Sequence, residues 1–513
     1  MTNHNKTKLS RLALIACFLL TLGFGMQSCK KSRSEMGKDL YSKTKNKVYK
    51  DVTPEGFEPV FKAMLESEGA KLPNAKIILA HYAANGYDPT LLLDHLSGDD
   101  IKALPQYLNK SNEHGLDPTL FRAAKIDTLI NNIYGKKSIK TLEEAYHDMA
   151  ELEMTMAASL ISYSNALQFG VFNPRKIYQR YYTATARPDS AYMNNALNTK
   201  DFKSYLDSIQ PKDKHYVALQ KALMEGFVAT GQTKEETQRT LVTNLERLRW
   251  KNKPTQDRYV IVNIADFRLD VMNQGKSELN MKVCVGEGRN KDAENSLVEY
   301  DESDKVDRPF SRETPQLASE INMVQVNPIW NIPVSIASKE IVVEAQKDPY
   351  YLANKNINVY KDGKLIDDPE TIEWNANSGT EYSFKQQPGS DNSLGKIKFL
   401  FPNKSSVYLH DTPAQAPFGR EMRAVSHGCV RLEKPLEFAR VLFGDGTEKF
   451  QKIEQFMGED KSQPTDLALP KKVPVYLTYV TGWVDDAGQI QIRPDVYGLD
   501  IVLYGHLQKL IRG

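Results

Sequence analysis

The chain has 513 residues, 41% of them hydrophobic and 26% charged, enough to bury more than one core. A formal net charge of +2 argues against a dedicated nucleic-acid binder, and four cysteines in this length are too few for a disulfide scaffold. Composition excludes little else.

The first 29 residues bear on the compartment. Lys6, Lys8 and Arg11 form a basic start, residues 12–24 a short apolar run, and Ser28 precedes Cys29. The run is too short to span a bilayer and reads as a secretory signal. The small residue before Cys29 resembles a loose lipobox, so the expected mature chain begins at a lipidated Cys29; a plain signal peptide or an uncleaved anchor is the alternative. Residues 30–50 are basic and polar and read as a flexible tether. With Cys17 in the signal and Cys29 carrying lipid, Cys284 and Cys429 remain. Cys284 lies in an alternating apolar strand and reads as core rather than as a redox partner.

Residues 51–250 read as an all-helical module of scaffold or docking type, with no catalytic constellation. Two segments echo each other, Gly86-Tyr87-Asp88-Pro89 and Gly115-Leu116-Asp117-Pro118. In each, Gly ends one helix, Asp caps the next and Pro takes its first position. Leu142, Ala145, Met149, Leu152, Met156, Leu160 and Tyr163 recur every three or four residues, which predicts a long helix with a core-type stripe.

Near Trp250 the apolar period changes to two. Residues 259–264, 267–272 and 279–285 predict a β-meander with a turn at 273–276. The polar stretch 291–307 reads as an exposed insertion, and residues 324–333 return to the sheet. Trp330 there either lines a cleft or packs in the core. Residues 340–347 predict a helix, 357–360 a short strand and 396–401 another.

Val407 and Leu409 alternate with Ser406 and Tyr408, placing His410 where a strand leaves the sheet. Cys429 follows Gly428 and precedes an amphipathic run, 435–442, that reads as a helix. The expectation is a loop-to-helix junction, where backbone amides and the positive helix end favour a thiolate. An imidazole facing a cysteine is a nucleophile–base pair. A buried hydrophobic Cys beside a satisfied His is the bland alternative.

His410, fifteen further residues, then Ser426-His427-Gly428-Cys429-Val430-Arg431 resembles the active-site signature of the L,D-transpeptidases with a YkuD-type domain. The segment Asn327-Pro328-Ile329-Trp330-Asn331-Ile332-Pro333 is similar to one in the larger YcbB-type members. The resemblance covers about residues 240–500, with a fainter helical extension before it. It implies a multidomain α plus mostly-β fold: a helical scaffold at 51–250, then a β-rich catalytic domain at 255–485. A capping subdomain at about 340–390 would be a mobile lid, and 486–513 a C-terminal strand and helix. No room is left for the small three-helix wall-binding domain of some relatives.

The same resemblance implies that Cys429 is the nucleophile and His410 the base and later the acid. His410 would be oriented by a backbone carbonyl near Asp411; whether the Asp411 side chain takes part is left open, a structural role being the expectation. The amides of Gly428 and Cys429 would form the oxyanion hole, with the Tyr408 hydroxyl as a further donor. Ser426, His427, Arg431 and Trp330 complete the expected oxyanion and substrate-binding set. His427 would shape the loop, and Arg431 would shape it too or bind a substrate carboxylate.

The implied reaction is acyl transfer on peptidoglycan stems, in which D-Ala leaves a tetrapeptide and another stem's amine accepts, giving a 3→3 cross-link. Water as acceptor would make an L,D-carboxypeptidase; a member cutting wall links and a non-enzymatic wall-binding lipoprotein are the other readings. No metal or cofactor is expected. The expected partners are stem peptides, the membrane through Cys29, and carbapenem-type β-lactams as covalent inhibitors. The expected location is the cell envelope, with the catalytic domain in the periplasm.

Overall fold

The computed structural model describes residues 35–288, 312–459 and 463–512. The signal segment with Cys29, and the insertion expected at 291–307, lie outside the described residues. The chain divides into two compact units.

One unit comprises the described residues up to Lys110, then 121–164 and 189–209, and it is helical. The stripe on the helix Leu142–Phe169 is its spine: Ala145, Met149, Leu152, Met156, Leu160 and Tyr163 are all buried, while Leu142 at the first turn is exposed. The same helix buries Glu153, whose carboxylate accepts from the Tyr82 hydroxyl (2.7 Å) and from the amides of Leu91 (2.9 Å) and Leu92 (2.7 Å). This corrects the expected Asp88 cap: helix Thr90–Asp94 has Pro89 at its N-cap and no side-chain cap there, and the amides of its first turn go to a carboxylate some sixty residues away. Residues 35–50 correct the tether expectation. They form a helix, Met36–Thr44, and a 3-10 turn, Lys47–Asp51, in which Met36, Leu40 and Tyr49 are buried. These three apolar side chains, spread among lysines, were enough to dock a segment that looked solvated. A Cβ on Gly37 would sit 2.7 Å from the Tyr49 carbonyl, so glycine permits the close packing of helix on turn.

The second unit comprises 111–120, 165–188 and 210–512. It takes in helices Lys214–Met224 and Lys234–Arg249, which the sequence reading had placed with the scaffold. The reason is a buried ion pair: Arg247 donates to Asp500 at 2.5 Å, on the terminal helix Leu499–Arg512, and Asp500 also accepts from the Thr481 hydroxyl at 2.8 Å. Arg249 and Glu246 form a second fully buried pair at 2.7 Å.

The strands of this unit are β1 (Arg258–Asn263), β2 (Arg268–Asn273), β3 (Lys276–Gly286), β4 (Leu317–Val326), β5 (Trp330–Ile332), β6 (Ile357–Lys361), β7 (Lys364–Ile366) and β8 (Ser383–Gln386). They continue as β9 (Ile397–Leu400), β10 (Leu409–His410), β11 (Ala424–Ser426), β12 (Val430–Leu432), β13 (Thr465–Thr478), β14 (Gly482–Val484) and β15 (Ile490–Ile492). The predicted meander is β1-β2-β3. Nine strands form the main sheet in the order β11-β3-β12-β10-β9-β4-β13-β1-β2, and a β2–β3 pairing closes it on itself. Its interior is filled by side chains such as Val262, Leu269, Val283, Val324, Phe399, Leu409 and Val430.

A separate sheet, β5-β8-β6-β7, with the helical segment 334–347, has its own core of Ile332, Ile341, Val342, Val359 and Phe384. The subdomain expected at 340–390 thus starts earlier, at Trp330, and ends at the last residue of β8, Gln386.

Candidate active site

The site is built by strand register. β10 runs parallel to β12 with Leu409 opposite Val430 and His410 opposite Arg431. Paired residues share a face and successive residues alternate, so Leu409 and Val430 point into the core. Tyr408, His410, Cys429 and Arg431 take the other face. β9 adds Lys398 beside His410, and β3 adds Cys284 opposite Arg431. These side chains, apart from Lys398 and Cys284, border one cavity of about 480 Å³, with Trp330, Pro333, Ile336 and Glu340 of the small subdomain on another wall.

The buried His410 ring has its Nδ1 2.5 Å from the Asp411 carbonyl, an acceptor, which assigns the proton to Nδ1 and leaves Nε2 as the base. Burial first, then the Arg431 charge, pushes its pKa down to about 3 against the pull of the Asp411 and Leu394 carbonyls. The Asp411 carboxylate faces away from this chemistry. It accepts from the amides of Lys396 (2.8 Å) and Thr412 (2.7 Å), and presses so closely on Gly395 that a Cβ there would lie 2.3 Å from it.

Cys429 is a free thiol. It stands at a loop-to-strand junction, directly before β12, and the helix Pro435–Phe443 begins six residues later. The expected helix-end support for a thiolate is therefore not what the fold provides. Burial raises the thiol pKa; the Tyr408 amide and hydroxyl, then Arg431 and Lys398, pull it back. Lys398 also lies over the Tyr408 ring, 5.5 Å from its centroid. Cys284 is a buried, free thiol in the sheet, in keeping with a core role.

The loop before Cys429 is held from three sides. Gly428 adopts φ +120°, a glycine conformation, although a Cβ there would meet only ordinary contacts, the nearest the Glu313 carbonyl at 3.6 Å. Ser426 Oγ accepts from the Gly428 amide at 3.2 Å and donates to the Cys429 carbonyl at 2.6 Å. Of the two expected oxyanion amides, that of Gly428 is thus engaged inside the loop; the Cys429 amide and the Tyr408 hydroxyl are the better placed donors. Thr314 Oγ donates to the Gly428 carbonyl at 2.8 Å, and the Tyr497 hydroxyl receives the Thr314 amide at 3.1 Å while donating to the Gly286 carbonyl at 2.7 Å. Thr314 and Tyr497 carried no sequence signal for this role, because their contacts span 114 and 211 positions.

His427 borders the same cavity, where its Nε2 lies 2.7 Å from Glu340, which also accepts from Arg312 at 2.8 Å. It ties the loop to the small subdomain, in line with a shaping role. Arg431 borders the cavity, and its Nε has no hydrogen-bond partner among the described residues. Trp330 satisfies both of its alternatives, packing on the subdomain core and lining the cavity.

Residues 257–447 match a family model described as the YkuD L,D-transpeptidase catalytic domain, and residues 76–223 match one described as a scaffold domain. This chain carries a YkuD-family L,D-transpeptidase domain. The transpeptidase domain's match covers His410 and Cys429 but stops short of Tyr497. A Haemophilus influenzae protein bearing the description "Putative L,D-transpeptidase" is 28% identical to it over 317 residues, 61% of this chain and 59% of that protein. The match therefore spans less than two thirds of the relative's length. Among the described residues one group, His147, Asp148 and Glu151, has the composition of a metal site. It lies on one exposed helix face outside the transpeptidase domain, with Glu151 paired to Lys125 at 2.6 Å.

Proposed function

We propose that this protein is a cysteine-dependent L,D-transpeptidase of peptidoglycan, anchored in the cell envelope through Cys29. The observation that carries the reading is the β10–β12 register, which sets the His410 and Cys429 side chains on one face of the sheet, at the border of one cavity.

In the first half-reaction the Cys429 thiol gives its proton to His410 Nε2 as sulfur bonds to the carbonyl carbon of the third stem residue. The oxyanion is met by the Cys429 amide and the Tyr408 hydroxyl. Collapse breaks the C–N bond, and His410 returns the proton to the departing D-Ala amine. In the second, an amine of another stem loses its proton to His410 as it attacks the thioester; the C–S bond breaks and the thiol is restored. Water in place of that amine would release tripeptide, the L,D-carboxypeptidase alternative. A carbapenem would acylate the same sulfur.

The test is mass spectrometry of muropeptides after incubating residues 30–513 with disaccharide-tetrapeptide, beside Cys429→Ala. A 3→3 dimer with the parent chain and none with the variant is expected. Tripeptide alone would replace the transferase reading by a carboxypeptidase. Neither product, with the thiol titrating as free, would sink the catalytic assignment.

A further inference from the structure

The helical unit carries a charged surface that the acyl-transfer chemistry does not use. Residues 35–51 fold onto that unit, and the buried Asn46 donates through Nδ2 to the carbonyl of the buried Ile139 at 3.0 Å. That bond lays the stretch 40–50 beside the stretch 135–142, although Asn46 and Ile139 are 93 positions apart. Neither stretch contains an Asp or a Glu. Together they present Lys43, Lys45, Lys47, Lys136, Lys137 and Lys140, all exposed. Among the described residues none of these six ammonium groups takes part in an ion pair. Lys50, the remaining lysine of the two stretches, lies over the Tyr41 ring, 4.4 Å from its centroid. Asp39, Asp51, Glu143 and Glu144 flank the stretches in sequence. Of these, Glu144 is occupied as a cap, accepting from the amides of Lys140 at 2.7 Å and Thr141 at 3.1 Å.

The length of chain before this fold says what the cations meet. Cys29 lies seven residues before Met36, which begins a helix whose Met36 and Leu40 are buried. Seven residues reach at most about 25 Å. The residues before Glu35 include six Lys or Arg and no carboxylate, so that end of the chain adds to the positive charge and cancels none of it. A lipid on Cys29 therefore keeps this end of the helical unit close to headgroups. Lysines held there by a folded backbone are attracted to each anionic headgroup within a Debye length, roughly 8–10 Å at ordinary salt.

We propose that the face built from Lys43, Lys45, Lys47, Lys136, Lys137 and Lys140 docks on anionic lipid headgroups and holds the helical unit against the membrane that carries the anchor. The inference rests on envelope anchoring at Cys29. It makes residues 35–50 a membrane contact rather than a spacer.

Vesicle binding separates the face from the anchor. Residues 30–513, which carry no lipid, would be sedimented with vesicles of phosphatidylglycerol and with vesicles of phosphatidylcholine. The parent chain is expected to bind the first and not the second, and to bind less as salt is raised. Lys45→Gln, Lys47→Gln and Lys137→Gln combined are expected to weaken that binding about tenfold or more. Lys355→Gln, Lys364→Gln and Lys471→Gln, at three exposed lysines of the other compact unit, are expected to leave it unchanged. Equal binding to both lipids, a patch variant that keeps its binding, or a remote variant that loses as much overturns the inference. So does a patch variant that loses binding to isolated peptidoglycan but not to vesicles, since that assigns the face to the wall. Muropeptide products report on the transpeptidase reading separately, and labelled palmitate incorporated at Cys29 of the full chain reports on the anchor.

Discussion

Cys429 and His410 are both pushed toward their neutral forms, the thiol up and the imidazole down to about 3, with burial the first cause for each. The resting pair is therefore thiol and imidazole, and the proton moves only as the carbon–sulfur bond forms. Alkylation of Cys429 by iodoacetamide, followed against pH, is expected to rise only above the ordinary thiol range, with no inflection between pH 4 and about 7. An inflection below neutrality would show a preformed ion pair and refute the neutral one. The same shift has a stability consequence whose sign is fixed. Above the ordinary imidazole value of 6.5 neither state takes the proton; below it the unfolded chain does and the folded one does not until about 3, so acid weakens the fold across that window.

The strand is the element that turns a sequence motif into a site. β10 is two residues long, yet its pairing to β9 and β12 sets four reactive side chains on one face. Asp411, one position beyond, anchors that strand's exit by accepting two amides across Gly395. Gly395 has φ +62° and no room for a Cβ, so Gly395→Ala must displace Asp411 and with it the carbonyl that orients His410. The expected cost is about 1–3 kcal/mol of stability by urea denaturation, with a lower kcat for D-Ala release. Unchanged stability and kcat would mean that Asp411 does not hold the histidine.

At the scale of the molecule, the compact unit that holds the candidate site is larger than the transpeptidase match. Arg247, ten residues before that match begins, forms a buried pair with Asp500, more than fifty residues after it ends. Arg247→Met leaves Asp500 buried without its cation, which costs about 3–5 kcal/mol. Thermal melting of the full chain is expected to show the loss in the transition that also releases Cys429 to a bulky thiol reagent. A melt shifted by less than a degree would show that the pair is solvated. Thr314 and Tyr497 make the same point at the site itself, since they brace the Gly428 loop from a loop and a turn far apart in the chain.

The sequence by itself determined the helical block, the β-meander and the Cys–His motif, because each is written in local period or in adjacent residues: the stripe from Ala145 to Tyr163, the alternation of 259–285, the run from Ser426 to Arg431. It misjudged residues 35–50, where three scattered apolar side chains were outvoted by lysines, and it put a helix start behind Cys429 where a three-residue strand intervenes. Short strands carry too few residues to show a period. Only the tertiary structure decided that Thr314 braces the Gly428 carbonyl, that His427 binds Glu340, and that Arg180 reaches the cavity. Those are contacts made across the sheet and between distant segments, and no local pattern encodes which distant side chain will meet which.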